Sequence, residues 1–94
     1  MTTVKVIYWK DIPAVVQATD GAGTVKLELR QRLQALIRTV AVRLGLTDAD
    51  TYLDQWHHGE AVERPGSPRE VAQTIAAELE SRFDEFRIHR LGNN

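Results

Sequence analysis

Val25-Lys26-Leu27-Glu28-Leu29 runs directly into Arg30-Gln31-Arg32-Leu33-Gln34-Ala35-Leu36-Ile37-Arg38-Thr39-Val40-Ala41-Val42-Arg43-Leu44. Inside this stretch the apolar period changes from two to about 3.6. Val25, Leu27 and Leu29 alternate with Lys26 and Glu28, the pattern of a half-buried strand. Leu33, Leu36, Ile37, Val40, Ala41 and Leu44 then recur at helical spacing, which predicts an amphipathic helix over about 30–44. Gly45 stands at its C-cap, and Arg43 in the last turn complements the helix dipole. A strand with one apolar face must find a cover, and the next segment supplies it, so the reading is α+β.

Toward the N-terminus, Asp20-Gly21-Ala22-Gly23 is a strong turn signal. Ile12 to Thr19 reads as a second strand, with Pro13 near its start because proline lacks a ladder donor. Lys10-Asp11 marks a tight reversal. Thr3-Val4-Lys5-Val6-Ile7-Tyr8-Trp9 reads as the first strand, and both of its faces are largely apolar, the mark of a central or doubly covered strand. The prediction is a three-stranded antiparallel meander over about 3–9, 12–19 and 24–29.

Toward the C-terminus, Thr47 is a good N-cap with Asp48 and Asp50 in the first turn. Ala49, Tyr52, Leu53 and Trp56 predict a second helix over about 48–58. Residues 60–66 read as an internal linker. Ser67, Pro68 and Glu70 make a capping box with proline at the first helical position. Val71, Ala72, Ile75, Ala76, Leu79, Phe83 and Phe86 form the buried stripe of a third helix over about 68–87, and Gly92-Asn93-Asn94 is expected to fray. The expected architecture is a single small domain over 1–94, with three helices on one face of the sheet.

Composition excludes several classes of function. The chain has 94 residues, 43% of them hydrophobic and 27% charged, as in ordinary globular domains. A domain of this size has little room for a large enclosed active site. Without cysteine there is no disulfide, thiolate metal site or thiol nucleophile. No signal-peptide pattern and no run long enough to span a bilayer are present, so no membrane role and a cytoplasmic location are expected. Charge is unevenly spread: seven Lys/Arg against three acids in residues 1–46, net +4, and five against ten in 47–94, net −5. The bland reading is two sub-structures that attract each other within one fold; the sharper one is a dipolar surface that orients a partner.

No motif rises to catalysis, and no cofactor is expected. His57, His58 and Glu60 are the only cluster resembling metal ligands, and a fourth ligand would have to come from elsewhere, such as His89; adjacent histidines diverge, so they read as a polar helix terminus. Glu78/Glu80 and Asp84/Glu85 read as the solvated outer face of the last helix. Ser67 is accounted for by capping, and the glycines at 21 and 23 sit in a hairpin turn where no phosphate cradle is expected. Basic residues in the N-terminal half beside Tyr8 and Trp9 raise single-stranded nucleic-acid binding, but they are dispersed, and this class ranks last.

Two features favour protein contact. Ala35 and Val42, flanked by Arg38 and Thr39, make a weak second apolar strip opposite the first helix's core stripe. Tyr8, Trp9, Tyr52 and Trp56 read as core or core-rim residues, or, half exposed, as contact residues. Trp9 and Tyr8 must point to opposite faces of their strand, so helices on a single face would leave one ring for solvent or a partner. Tyr8, Trp9, Lys10, Asp11 and Pro13 are therefore candidate contact or turn-defining residues, with Tyr52 and Trp56 packed on the same region. The expected partner is another protein or a second copy of the chain.

The combination Val6-Ile7-Tyr8-Trp9-Lys10-Asp11-Ile12-Pro13, Val25-Lys26-Leu27-Glu28-Leu29, Arg43-Leu44-Gly45-Leu46 and Asp50-Thr51-Tyr52-Leu53 with Trp56 resembles the small bacterial virulence factor domain family. The resemblance covers roughly residues 4–58. That family occurs as free-standing proteins and as a module of larger conserved virulence factor C proteins. It implies no catalytic residues. It does imply a link to folate and corrinoid one-carbon metabolism, hence a second reading as an accessory subunit in methyl transfer.

Overall fold

Alternating apolar residues and turn chemistry set the first three strands. β1 (Thr2–Trp9), β2 (Ile12–Asp20) and β3 (Gly23–Glu28) form the expected antiparallel meander. The computed structural model describes residues 1–91, so the expected fraying of 92–94 lies outside the described residues. Asp20 builds the β2–β3 turn: its Oδ1 accepts from the N–H groups of Ala22 and Gly23 at 2.8 and 3.1 Å. Leu29 N–H donates to Ala14 O at 2.9 Å and carries the ladder one step beyond β3.

The first helix is close to its expected span, as α1 (Gln31–Arg43). Gly45 adopts φ 71°, and the N–H groups of Gly45 and Leu46 donate back to Val42 O and Ala41 O at 3.2 and 2.8 Å. That left-handed turn needs glycine and closes the helix end.

The segment after α1 departs from expectation. The second helix, expected over 48–58 from an N-cap at Thr47, is only α2 (Ala49–Leu53), with Asp48 at its N-cap. The chain then becomes β4 (Trp56–His58), and the expected linker 60–66 contains β5 (Val62–Arg64). Both pair antiparallel with β1: Ile7, Tyr8 and Trp9 oppose His58, His57 and Trp56, and Thr2, Thr3 and Val4 oppose Arg64, Glu63 and Val62. The sheet thus has five strands in the order β3-β2-β1-β4, with β5 also on β1. The reason is the second edge of β1, whose backbone donors and acceptors would otherwise lie open.

The last expected helix is two. α3 (Pro68–Ser81) opens as its capping signal predicts, with Ser67 Oγ accepting from Glu70 N–H at 3.2 Å. It stops at Arg82, and α4 (Phe83–Leu91) begins at once. Ser81 Oγ donates to Glu78 O at 2.6 Å, the kind of local bond by which serine competes with helix continuation. The break leaves Phe83 and Phe86 packed against the core.

The helices do not share one face. Ile75 of α3 lies over Val4, Val6 and Val62, whereas Tyr52 of α2 packs on Trp9, which alternation places on the opposite face. Consecutive Ile12, Pro13 and Ala14 are all buried, so the β1–β2 end of the sheet is covered on both sides. Farther along, the face opposite α3 carries Gln17, Thr19, Thr24, Lys26 and Glu28, and Thr19 and Thr24 bond through their hydroxyls at 3.0 Å.

Glu80 also departs from expectation: it is not on a solvated face. Its side chain is 13% exposed and reaches the start of α1, where no side chain of the N-cap residue Arg30 helps. Glu80 Oε2 accepts from Arg30 N–H, and Glu80 O accepts from Arg32 Nη2 at 2.7 Å. Among the described residues Oε1 has no hydrogen bond; Arg32 Nε stands 3.6 Å away as an ion pair only. Glu78, Asp84 and Glu85 are exposed, as expected.

Candidate functional site

The two-residue turn Lys10-Asp11 joins strands whose last and first residues, Trp9 and Ile12, are fully buried. Such a tight reversal needs a positive φ at its first position. Lys10 supplies it at φ 56°, the one non-glycine with positive φ among the described residues. A lysine in this region is unfavourable by roughly 1–2 kcal/mol, so its surroundings must hold it there.

They do so from the segment that leads into β4. Lys10 N–H donates to Gln55 O at 2.9 Å, and Lys10 Nζ donates to Gln55 Oε1 at 3.2 Å. His57 Nε2 hydrogen-bonds Lys10 O. Trp9 Nε1 donates to Tyr52 O at 2.9 Å, and the two rings lie 5.5 Å apart. Trp56 meets Tyr52 edge-on at 6.2 Å. From the other side, His89 Nε2 of α4 lies 2.9 Å from Asp11 Oδ2. Backbone and side chain of the turn are thereby clasped between α2–β4 and α4.

Tyr8 is half-buried and stacks on its cross-strand partner His57, ring centroids 5.5 Å apart and planes 16° from parallel. Gly59 makes this possible. A Cβ there would stand 2.8 Å from Tyr8 Cε2 and 3.0 Å from Val6 O, while Gly59 N–H donates to Val6 O at 2.7 Å. Gly59→Ala is expected to displace the Tyr8 ring and cost about 1–3 kcal/mol. Urea unfolding checks the cost, and a changed Tyr8–His57 ring-current shift by NMR checks the cause. Unaltered ring shifts would refute this account.

The structure divides the predicted residues. Trp9 and Pro13 are wholly buried, and Tyr52 and Trp56 are half-buried beside Trp9. Tyr8, Lys10 and Asp11 border solvent at the turn. Ala35, Arg38 and Val42 lie on the exposed face of α1, opposite its buried Leu33, Leu36, Ile37 and Val40. His57 and His58 belong to a strand and not to a helix terminus, and they alternate to opposite faces. Among the described residues, no three His, Asp or Glu side chains converge as metal ligands. Sequence reasoning missed Gln55, the seat at Gly59 and the place of His89 at the turn beside Asp11; contacts so distant along the chain leave no periodic trace.

A shallow groove of about 300 Å³ beside the turn is lined by Asp11, Arg82, Glu85, Phe86 and His89. No helix among the described residues is long and apolar enough to cross a membrane. Fold and site define a small α+β domain whose first hairpin is locked by a later strand. The chain matches the family described as Virulence factor over residues 7–91, and it belongs to that family. The match extends well beyond the resemblance at residues 4–58 and takes in the whole clasp, from Tyr8 to His89. No curated protein and no solved structure matches the chain.

Proposed function

We propose that this chain is a non-enzymatic accessory or adaptor domain that acts by protein contact. The observation that carries the reading is the clasped turn, where an unfavourable Lys10 backbone is held by Gln55 and His57 beside solvent-bordering Tyr8 and Asp11. Unfavourable backbone kept at a surface turn is more often found at functional positions than elsewhere. Exposed apolar side chains give a second contact region at the C-terminal end of α1: Val42 is 68% exposed and Leu44, just past the helix, 50%. Arg38 and Arg43 flank them, which suits a partner with acidic residues around an apolar centre.

Site-specific photo-crosslinking in cells tests this. A photoreactive residue at Tyr8 or Val42 is expected to capture the same discrete partner, and one at exposed Arg69 of α3 is not. Equal capture from all three positions, or none from any, would overturn the proposal.

A further inference from the structure

Among the described residues the sheet ends on β3, which bonds to β2 alone. Leu29 N–H bonds Ala14 O, and in an antiparallel ladder alternate residues address the same neighbour. Leu27 and Val25 therefore direct their backbone groups to β2. Thr24, Lys26 and Glu28 direct theirs outward, and all three are exposed.

We propose that this edge is a self-association site. Two copies pair β3 against β3, antiparallel, about a two-fold axis at Leu27, and so continue the sheet across the dimer. Charge selects this register. An axis at Lys26 would set Lys26 against Lys26, and an axis at Val25 would set Glu28 against turn residue Ala22. The axis at Leu27 sets Lys26 against Glu28 twice, by symmetry. It also brings Leu27 against Leu27 and Val25 against Leu29 on the α3 side. Lysine on an edge ordinarily discourages pairing. Here Glu28, two residues on, turns that deterrent into selectivity for the chain's own copy.

There is room for the second copy. α3 packs on β2 and β3, so two copies of α3 would stand roughly 10–14 Å apart, at or beyond ordinary helix packing distance. Between α3 and the edge runs an open groove of about 400 Å³, lined by Leu27, Glu28, Gln73 and Ala77 among others, which the partner strand would border. The pairing is short, so the dimer falls at the small, weak end of specific interfaces. This surface is separate from the clasped turn and from the outer face of α1, and its test does not depend on any partner of theirs.

Sedimentation velocity of the full chain, from about ten to several hundred micromolar, is expected to show a monomer–dimer equilibrium. Lys26→Glu and Glu28→Lys are each expected to weaken the dimer roughly tenfold, since symmetry doubles every like-charge pair. The double reversal is expected to restore it to within about threefold. Both positions are exposed, and circular dichroism checks that each variant folds. The chain has no cysteine, so single cysteines report position without background. Leu27→Cys is expected to form a disulfide-linked dimer on mild oxidation. Val25→Cys is not, because its symmetry mates lie about 13 Å apart. A monomer at all concentrations, a dimer indifferent to the charge reversals, or stronger linkage through Val25→Cys would each overturn the proposal.

Discussion

Trp9→Ala is expected to lower stability by about 3–5 kcal/mol. In a domain of this length that corresponds to a fall in melting temperature of about 12–40 °C. Trp9 is 0% exposed and opposes Ile12 on one side and Trp56 on the other, so one truncation empties the joint between β2 and β4. It also leaves Tyr52 O without its indole donor. Trp9→Phe separates the two contributions. It keeps a smaller aromatic ring beside Tyr52 and removes the N–H, at a cost of about 1–3 kcal/mol for the lost hydrogen bond and the lost ring volume, while Tyr52 O still accepts from Gln55 N–H at 3.3 Å. Native stability is commonly only about 5–15 kcal/mol, so Trp9→Ala is expected to remove a large fraction of it. Thermal unfolding followed by near-ultraviolet circular dichroism checks both variants. Equal losses in the two would show that the hydrogen bond, and not ring burial, dominates.

How far the fold was legible follows from the range of each interaction. The meander, α1 and the start of α3 rest on contacts within a few residues, and Val25–Leu29, Gly45 and Ser67–Glu70 announce them. The corrected segment rests on distant pairing. Tyr52, Leu53 and Trp56 keep helical spacing, yet Trp56–His58 folds as a strand because β1 offers it a ladder. Tertiary pairing outweighs a weak local preference there. The signal that could have exposed the error lay in β1 itself. Val4-Lys5-Val6-Ile7-Tyr8-Trp9 reads as a central strand, but a three-strand meander makes it an edge. That conflict required another strand, and β4 and β5 are it. The candidate site was legible in the same degree. The turn and its aromatics were visible in the sequence, whereas Gln55, Gly59 and His89 act on it from far along the chain.

Glu80→Ala is expected to cost about 2 kcal/mol, or about 8–16 °C in melting temperature. Two explanations of its effect compete, and magnitudes separate them. The Arg32–Glu80 ion pair has an Arg32 side chain that is 51% exposed and no hydrogen bond at Oε1, so it contributes little. The bond from Arg30 N–H to Oε2 is different in kind: it satisfies a backbone donor at the start of α1 with a charged acceptor on a mostly buried side chain. A carboxylate there also meets the positive end of the α1 dipole. Arg32→Ala should therefore cost less than Glu80→Ala, even though it also loses the exposed Arg32 Nη2–Glu80 O hydrogen bond at 2.7 Å and the Arg32–Phe83 stacking at 4.7 Å. Glu80→Gln should fall between them, because its amide oxygen still accepts from Arg30 while its charge is gone. Urea unfolding of the three variants orders them. Arg32→Ala matching Glu80→Ala would return the energy to the ion pair. The consequence reaches function, because this bond fixes α1 to α3 and so sets how Ala35, Arg38 and Val42 are presented. Glu80→Ala is then expected to weaken photo-capture from Val42 while leaving capture from Tyr8 intact, since the clasp at the turn is built from Gln55, His57 and His89 and does not use Glu80.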